Sequence, residues 1–173
     1  MKVTSDLTKL YPEIDINSDG GPDAYREGLP IVERDPVAVI IKHPSENQYL
    51  LAEWKQAEWR GFLTGGIEKG DSLEKTVRKE IHEETGYKNV SEIIATNFVS
   101  HALFFHPVKN VNRLAHYRLV FARLADLERE NVSEEEGRIA DFVWVPHDEV
   151  LEILTRRDMK LLWNFYINNL KDF

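Results

Sequence analysis

The stretch that decides the fold is GGIEKGDSLEKTVRKEIHEETGY, residues 65–87. Within it, Leu73, Val77 and Ile81 recur every four residues, which predicts a helix with one face against a core. The helix should span 71–85. Its first residue, an aspartate followed three residues later by a glutamate, is the expected N-cap. A glycine follows the predicted helix, as is usual at a left-handed C-terminal position.

Three glutamates of this helix lie on or near its core-facing side. At 100° per residue, Glu84 falls inside the apolar stripe, Glu80 lies on its edge and Glu83 lies about 60° further out. A carboxylate beside a core is unfavourable without a cation, and three carboxylates repel one another. A solvated acidic turn is the alternative interpretation. The pattern favours a hard divalent cation such as Mg²⁺ or Mn²⁺, and Gly65–Gly66 would let the backbone approach a ligand, which suggests phosphate chemistry.

Composition narrows the class of protein. The chain has 173 residues, 42% of them hydrophobic, a formal charge of −8 and no cysteine. One domain fits this length, and the acidity argues against non-specific binding of nucleic acid or anionic membrane. Without cysteine there are no disulfides, thiolate metal sites or thiol nucleophiles. Because the sequence shows neither a signal peptide nor an apolar run of about 20 residues, we expect a soluble cytoplasmic protein.

The order of predicted elements is mixed α+β. We expect an N-terminal extension over 1–28 with at most one ordered loop, and one domain over 29–173. PVAVIIKH (36–43) and QYLLAEWK (48–55) predict an antiparallel hairpin. The other expected elements are a strand entering a glycine-rich loop at 59–70, strands at 93–105, 114–124 and 142–146, a solvated acidic loop at 126–138, and a helix from 149 to 170.

Residues 65–87 resemble the Nudix box, the motif of the Nudix hydrolase superfamily. The positions that match with every spacing kept are Gly65, Asp71, Lys79, Glu80, Ile81, Glu83, Glu84, Gly86 and Tyr87. Asp71 stands where the family has glutamate, and Lys79 replaces an arginine that helps to orient the carboxylates. The resemblance covers residues 29 to about 155. It implies an α/β/α sandwich with a mixed sheet, a central Nudix helix and a C-terminal helix.

The resemblance also implies a reaction. Nudix enzymes hydrolyse the diphosphate linkage of a nucleoside diphosphate derivative, NDP-X, to NMP and P-X. Here ADP-ribose or a nucleotide sugar is the slightly preferred substrate, and dinucleoside polyphosphates and modified nucleoside triphosphates stay open. The expected ligands of Mg²⁺ or Mn²⁺ are Glu80, Glu83, Glu84 and the carbonyl of Thr64. The general base is a glutamate of the box helix, Glu83 or Glu84, or one from a distant loop. The loop candidates are Glu134, Glu135 and Glu136, of which Glu136 is taken as the catalytic one.

The sequence constrains the residues of substrate recognition less than it constrains those of the metal site. Trp54, Trp59 and Phe104 are candidates to stack on a base, although aromatic residues in strands more often belong to a core. Arg118 is a candidate phosphate contact or a solvent-facing side chain. Residues 15–27 match part of a calcium-binding loop, but an arginine occupies the twelfth position, where a bidentate glutamate is required, so a polar turn is favoured.

Two further expectations concern partners. LPIVERDPVAVIIKHP (29–44) and FLTGGIEKG (62–70) are similar to a Nudix-like insert of some bacterial leucyl-tRNA synthetases. The alternative function is therefore a catalytically weak Nudix-fold module that binds a nucleotide or works beside tRNA. We expect a small nucleotide substrate, no membrane partner and no direct binding of nucleic acid. The sequence leaves a homodimer open.

Overall fold

The computed structural model describes residues 2–55, 58–67 and 70–170, so the box positions 68 and 69 lie outside the described residues. The helices are α1 (Lys2–Leu10), α2 (Leu73–Thr85), α3 (Glu134–Gly137), α4 (Val150–Ile153) and α5 (Arg157–Asn169). The strands are β1 (Asp15–Ile16), β2 (Ile31–Arg34), β3 (Pro36–Lys42), β4 (Gln48–Trp54), β5 (Arg60–Gly61), β6 (Leu63–Gly66), β7 (Val90–His106), β8 (Val111–Leu124) and β9 (Ala140–Pro146).

Strand β8 joins the parts of a curled mixed sheet. It pairs in parallel with β2 and β3 and antiparallel with β7. The predicted hairpin is confirmed, because β3 and β4 are antiparallel with Ile41 opposite Leu50. Strand β3 also pairs with β6, and β4 pairs with β5 and β9, all antiparallel. The strands expected at 93–105, 114–124 and 142–146 are therefore present, each with extended bounds.

The two faces of the sheet carry separate cores. Along β8, Phe121 faces α5, where its ring stacks on Tyr166 at 5.3 Å between centroids. The next residue back, Val120, faces the opposite side and belongs to the cluster that contains Val77 and Ile81 of α2. Alternation along one strand thus places the sheet between α2 and α5. The predicted α+β sandwich, with a mixed sheet, a central helix and a C-terminal helix, is confirmed.

The ends of α2 are set by local capping. Ser72 is the N-cap, and its hydroxyl accepts a hydrogen bond from the N–H of Lys75 at 3.2 Å. The prediction that Asp71 is the N-cap is wrong, since its carboxylate lies 2.6 Å from the Lys75 ammonium. Gly86 ends the helix at φ 78°, where an added Cβ would also overlap a carbonyl of the 126–138 segment. Both conditions require glycine.

The N-terminal segment is more ordered than the sequence predicts. Helix α1 and strand β1 lie within the extension for which we expected at most one ordered loop. Strand β1 pairs in parallel with Ala102 and Leu103 of β7, and Ile14 is buried against Leu103 and Leu114. A few apolar residues in a polar stretch therefore dock the segment onto the sheet.

Two other predictions need correction. The acidic 126–138 segment includes the short helix α3, capped by Ser133, whose hydroxyl accepts from the N–H of Glu136. The single helix expected over 149–170 is two helices, because the backbone at Leu154–Arg156 leaves the helical conformation. Within the described ranges, none of the helices combines the length and apolar character needed to cross a membrane.

Candidate active site

Helix α2 presents its three box glutamates in three different environments. Glu84 is the most enclosed of them, Glu80 is half-buried and Glu83 is exposed. This order agrees with the helical positions predicted from the sequence. Because Val77 and Ile81 are completely buried on the adjacent stripe, the helix cannot rotate to bring Glu84 into solvent.

Gly65 brings the backbone of β6 into contact with α2. An added Cβ at this position would overlap the side-chain carbons of Glu80. Gly65 lies opposite Val37 of β3, whose side chain belongs to the α2-facing core. Only glycine therefore allows strand and carboxylate to lie so close. Thr64 directly precedes this contact, and the role of its carbonyl as a metal ligand stays a prediction.

Helix α3 adds a fourth carboxylate to this group. Among the three loop candidates, Glu136 is close enough for its charge to act on Glu80 and Glu84 of α2. Glu134 pairs instead with Arg138 at 3.2 Å, and its side chain is 91% exposed. Glu135 is exposed as well. The position of Glu136 beside α2 thus distinguishes it from Glu134 and Glu135. The run of three glutamates in the sequence does not by itself make this distinction.

Burial, and then the repulsion between neighbouring carboxylates, raise the pKa values in this group. Burial raises the pKa of Glu84 to about 9, with further contributions from the negative charges of Glu80, Glu136 and Glu83. Burial, followed by the charge of Glu83, also raises the pKa of Glu80, which shares a hydrogen bond with Glu84. The charge of Lys79 acts on Glu80 in the opposite direction. Lysine at this box position therefore still provides a cation beside the glutamates.

The donor set of this group fits a hard divalent cation. Carboxylate oxygens are the ligands that Mg²⁺ and Mn²⁺ prefer, and a cation would relieve the repulsion that raises both pKa values. Among the described residues, no three acidic or histidine side chains already converge as a metal cluster. Because the hydrogen bond between Glu80 and Glu84 needs a proton, a cation that binds both carboxylates would displace that proton.

The predicted substrate contacts divide between the two faces of the sheet. Phe104 is 3% exposed, Trp59 packs edge-on against it at 5.4 Å, and Trp54 lies 6.4 Å beyond Trp59. Phe104 belongs to the α5-side core and Trp59 packs against it, as in the core alternative, and neither ring is brought together with the glutamates. Arg118 is exposed and shares a row with Val37 and Gly65 across three strands, on the α2 side. The substrate roles of all four residues stay predictions.

The calcium-like loop uses its carboxylates for internal bonds. Asp23 accepts a hydrogen bond from the Trp59 indole at 2.7 Å, and Asp15 accepts one from the N–H of Asp158 at 3.3 Å. Asp19 accepts one from the backbone of Gly21. Because these carboxylates bond in different directions, the arrangement agrees with the polar turn that the sequence favours.

Sequence reasoning missed two arginines beside the glycine-rich strand. Arg34 and Arg113 line a cavity of about 490 Å³ that Thr64 and Gly65 also border. Alternation along β8 would have placed Arg113 on one face, but the sequence gives no signal that β2 pairs there in parallel. Their proximity follows only from the fold.

Comparison with known proteins agrees with the fold. The chain is 28% identical over 125 residues to the NAD-capped RNA hydrolase NUDT12 of Macaca fascicularis, covering 70% of this chain but 24% of that protein. It thus spans about a quarter of the relative's length. The E. coli dihydroneopterin triphosphate pyrophosphohydrolase superposes with a TM-score of 0.60 at 12% identity, over 78% of this chain and 95% of that one.

A NUDIX hydrolase from Listeria monocytogenes superposes with a TM-score of 0.57 at 19% identity, over 79% of this chain and 94% of that one. At these identities the two structures show the shared fold alone. The family model of the NUDIX domain matches residues 33–165, which is well over half of the chain and includes the whole box. The chain belongs to the Nudix hydrolase superfamily.

Proposed function

We propose that this chain is a divalent-metal-dependent pyrophosphohydrolase that cleaves the diphosphate linkage of NDP-X to NMP and P-X. The observation that carries the proposal is the crowding of Glu80, Glu84 and Glu136 beside the bare backbone of Gly65. Such a group is unfavourable in a resting protein without a cation, and it suits the chemistry of phosphate anhydrides. Members of the family typically use a divalent metal and act on nucleotide-like substrates.

In this proposal Glu80, Glu83, Glu84 and the carbonyl of Thr64 hold Mg²⁺ or Mn²⁺. When bound, the cation neutralises phosphate charge and makes water more acidic. The residues of the chain position the cation and its ligands. Gly65 keeps β6 in contact with Glu80, and the buried stripe of α2 fixes the direction of the glutamates.

Glu136 is the proposed general base. It faces α2 from a separate short helix. It can therefore act on a water while the proposed metal ligands on α2 stay in place. Burial, and then the charges of Glu135 and Glu83, raise the pKa of Glu136. A base with a raised pKa holds the abstracted proton more firmly. Glu83 and Glu84 remain the alternatives for this role on the box helix.

The substrate follows less directly from these contacts. ADP-ribose and nucleotide sugars are the first NDP-X substrates to test, with Arg118 as a phosphate contact and Trp54, Trp59 and Phe104 as aromatic candidates. We treat residues 29–173 as the catalytic domain and residues 1–28 as an extension docked on it. The second candidate function is a nucleotide-binding or tRNA-associated module without turnover, which the replacements at Asp71 and Lys79 favour.

The test is a phosphate-release panel with Mg²⁺ on ADP-ribose, nucleotide sugars, dinucleoside polyphosphates and nucleoside triphosphates. The double variant Glu83→Gln, Glu84→Gln should lose at least about a hundredfold of the rate, because two proposed ligands lose their charge. Glu74→Gln is the matched control, since this glutamate lies on the solvent side of α2 and pairs with Arg78. Absence of turnover across the panel, from a folded protein that binds Mg²⁺, would favour the binding module.

A further inference from the structure

The cavity of about 490 Å³ lies between β2, β6 and β8 and carries two arginines on one face. In the parallel pairing of β2 with β8, Val32 lies opposite Arg113 and Arg34 lies opposite Ala115. Arg34 and Arg113 are therefore diagonal neighbours that point to the same side of the sheet. The buried ring of Tyr117, two residues further along β8, lies on this side as well.

Neither of these two arginines forms an ion pair within the described residues, although Glu33 and Asp35 also line the cavity. Across residues 2–55, 58–67 and 70–170, no carboxylate lies within ion-pair distance of Arg34 or Arg113. Glu33, at the rim, is 2.8 Å from the imidazole of His116 instead. The Nε of Arg113 is buried and has no hydrogen-bond partner among the described residues. A buried N–H donor without an acceptor is unfavourable, so the Nε of Arg113 is suited to an oxygen of an anion that enters the cavity.

The electrostatics agree with this geometry. Burial lowers the pKa of Arg113. The interaction with Tyr117 acts in the opposite direction, and the charge of Arg34 lowers the pKa further, as expected for two neighbouring guanidinium groups. An anion placed between them would remove the repulsion between their charges.

The cavity adjoins the carboxylate group through one strand. Thr64 lies opposite Ala38, which belongs to the α5-side core, whereas Gly65 contacts Glu80 on the α2 side. The end of β6 therefore separates the carboxylate group of α2, suited to a cation and a diphosphate, from the cavity that holds the two arginines. For a substrate with its diphosphate at the glutamates to place a second charged group in the cavity, that group has to cross this strand end.

We propose that Arg34 and Arg113 bind a further phosphate group of the substrate, so that X in NDP-X carries negative charge. This inference rests on the proposed function and narrows it from neutral sugars toward nucleoside triphosphates and longer polyphosphates. The guanidinium group suits the task because its planar fork of donors matches phosphate oxygens in pairs.

The first experiment compares kcat/KM for two substrates that share ADP and differ in X, namely ATP and ADP-ribose. Wild type should favour ATP. Arg34→Gln and Arg113→Gln should each lower kcat/KM for ATP about tenfold or more, and for ADP-ribose less than about threefold. Arg157→Gln, which removes an exposed arginine at the start of α5, should change neither. Because Arg34 is exposed, its replacement should leave the fold intact.

A binding experiment separates this inference from the proposed function. Inorganic tripolyphosphate is titrated calorimetrically, in EDTA, into the Glu83→Gln, Glu84→Gln protein with and without Arg113→Gln. We expect the arginine replacement to weaken binding about tenfold. Arginine-dependent binding without turnover of any substrate would refute the proposed function alone. Turnover with equal losses on ATP and ADP-ribose, or binding that does not depend on Arg113, would overturn the anion site.

Discussion

Glu84 should make the metal-free protein less stable as pH rises. The pKa of this carboxyl is about 9 in the folded chain, against an ordinary value of 4.5. Below pH 4.5 the group is protonated in both states, and its contribution to stability is fully present. Above that pH the unfolded chain releases the proton while the folded chain retains it. Stability is therefore lost progressively until the pH passes the folded pKa of about 9.

The size of the effect follows from the same two values. Each pH unit between them removes about 1.4 kcal/mol from the free energy of unfolding, so the loss between about pH 5 and about pH 7.5 is about 3 kcal/mol. The raised pKa values of Glu80 and Glu136 act in the same direction. A loss of this size is a large fraction of the total stability of a typical domain, about 5–15 kcal/mol.

The assay is urea unfolding in EDTA across this pH range for wild type and two variants. Glu84→Gln keeps the shape of the protonated acid, so its stability should depend much less on pH. Glu74→Gln should keep the wild-type slope, because that carboxylate is 62% exposed and pairs with Arg78. Excess Mg²⁺ should oppose the wild-type loss, since metal ligands bind in their deprotonated form.

Parallel pH profiles for wild type and Glu84→Gln would refute this reasoning. They would mean that the carboxyl titrates near its ordinary pKa in the folded protein, and hence that the carboxylates are not crowded as described. A slope that persists in excess Mg²⁺ would show instead that the cation does not bind at this group.

The remaining predictions test the site and the fold separately. Gly65→Ala should lower the rate of hydrolysis about tenfold or more, because the new methyl group overlaps the facing α2 glutamate; Gly66→Ala, where a Cβ meets nothing within 4 Å, should lose far less. Glu136→Gln should lower kcat about a hundredfold while Glu134→Gln, at an exposed ion pair, stays near wild type in the same steady-state assay. Asp158→Asn should cost about 3–5 kcal/mol in urea unfolding, since it leaves a buried arginine without its carboxylate.

The part of the site that lies within one helix could be read from the sequence. Helical period alone orders the exposure of Glu80, Glu83 and Glu84, because the core-facing stripe fixes the rotation of the helix. The capping residue was wrong by one position, since aspartate and serine are adjacent and both can cap. Only the structure shows that Asp71 is engaged by Lys75.

The part that depends on long-range pairing could not be read in this way. Val32 and Arg113 are 81 residues apart in the chain, and no local pattern specifies a parallel pairing between β2 and β8. The order of the N-terminal segment was missed for the same reason. Its helix and short strand depend on contacts of Ile14 with Leu103 and Leu114, not on their own propensity.

The position of β8 in the sheet also constrains how the chain reaches its native state. Strands β2 and β3 are synthesised early, yet their parallel partner lies at residues 111–124, which leave the ribosome much later. Until then β3 can pair only with its antiparallel neighbours. One edge of this strand stays unpaired, although most of its residues are apolar and are buried in the native state. Closure of the sheet is thus a late, high-contact-order step that we expect to limit the folding rate. During synthesis, the nascent chain is most prone to aggregation in the interval between β3 and β8.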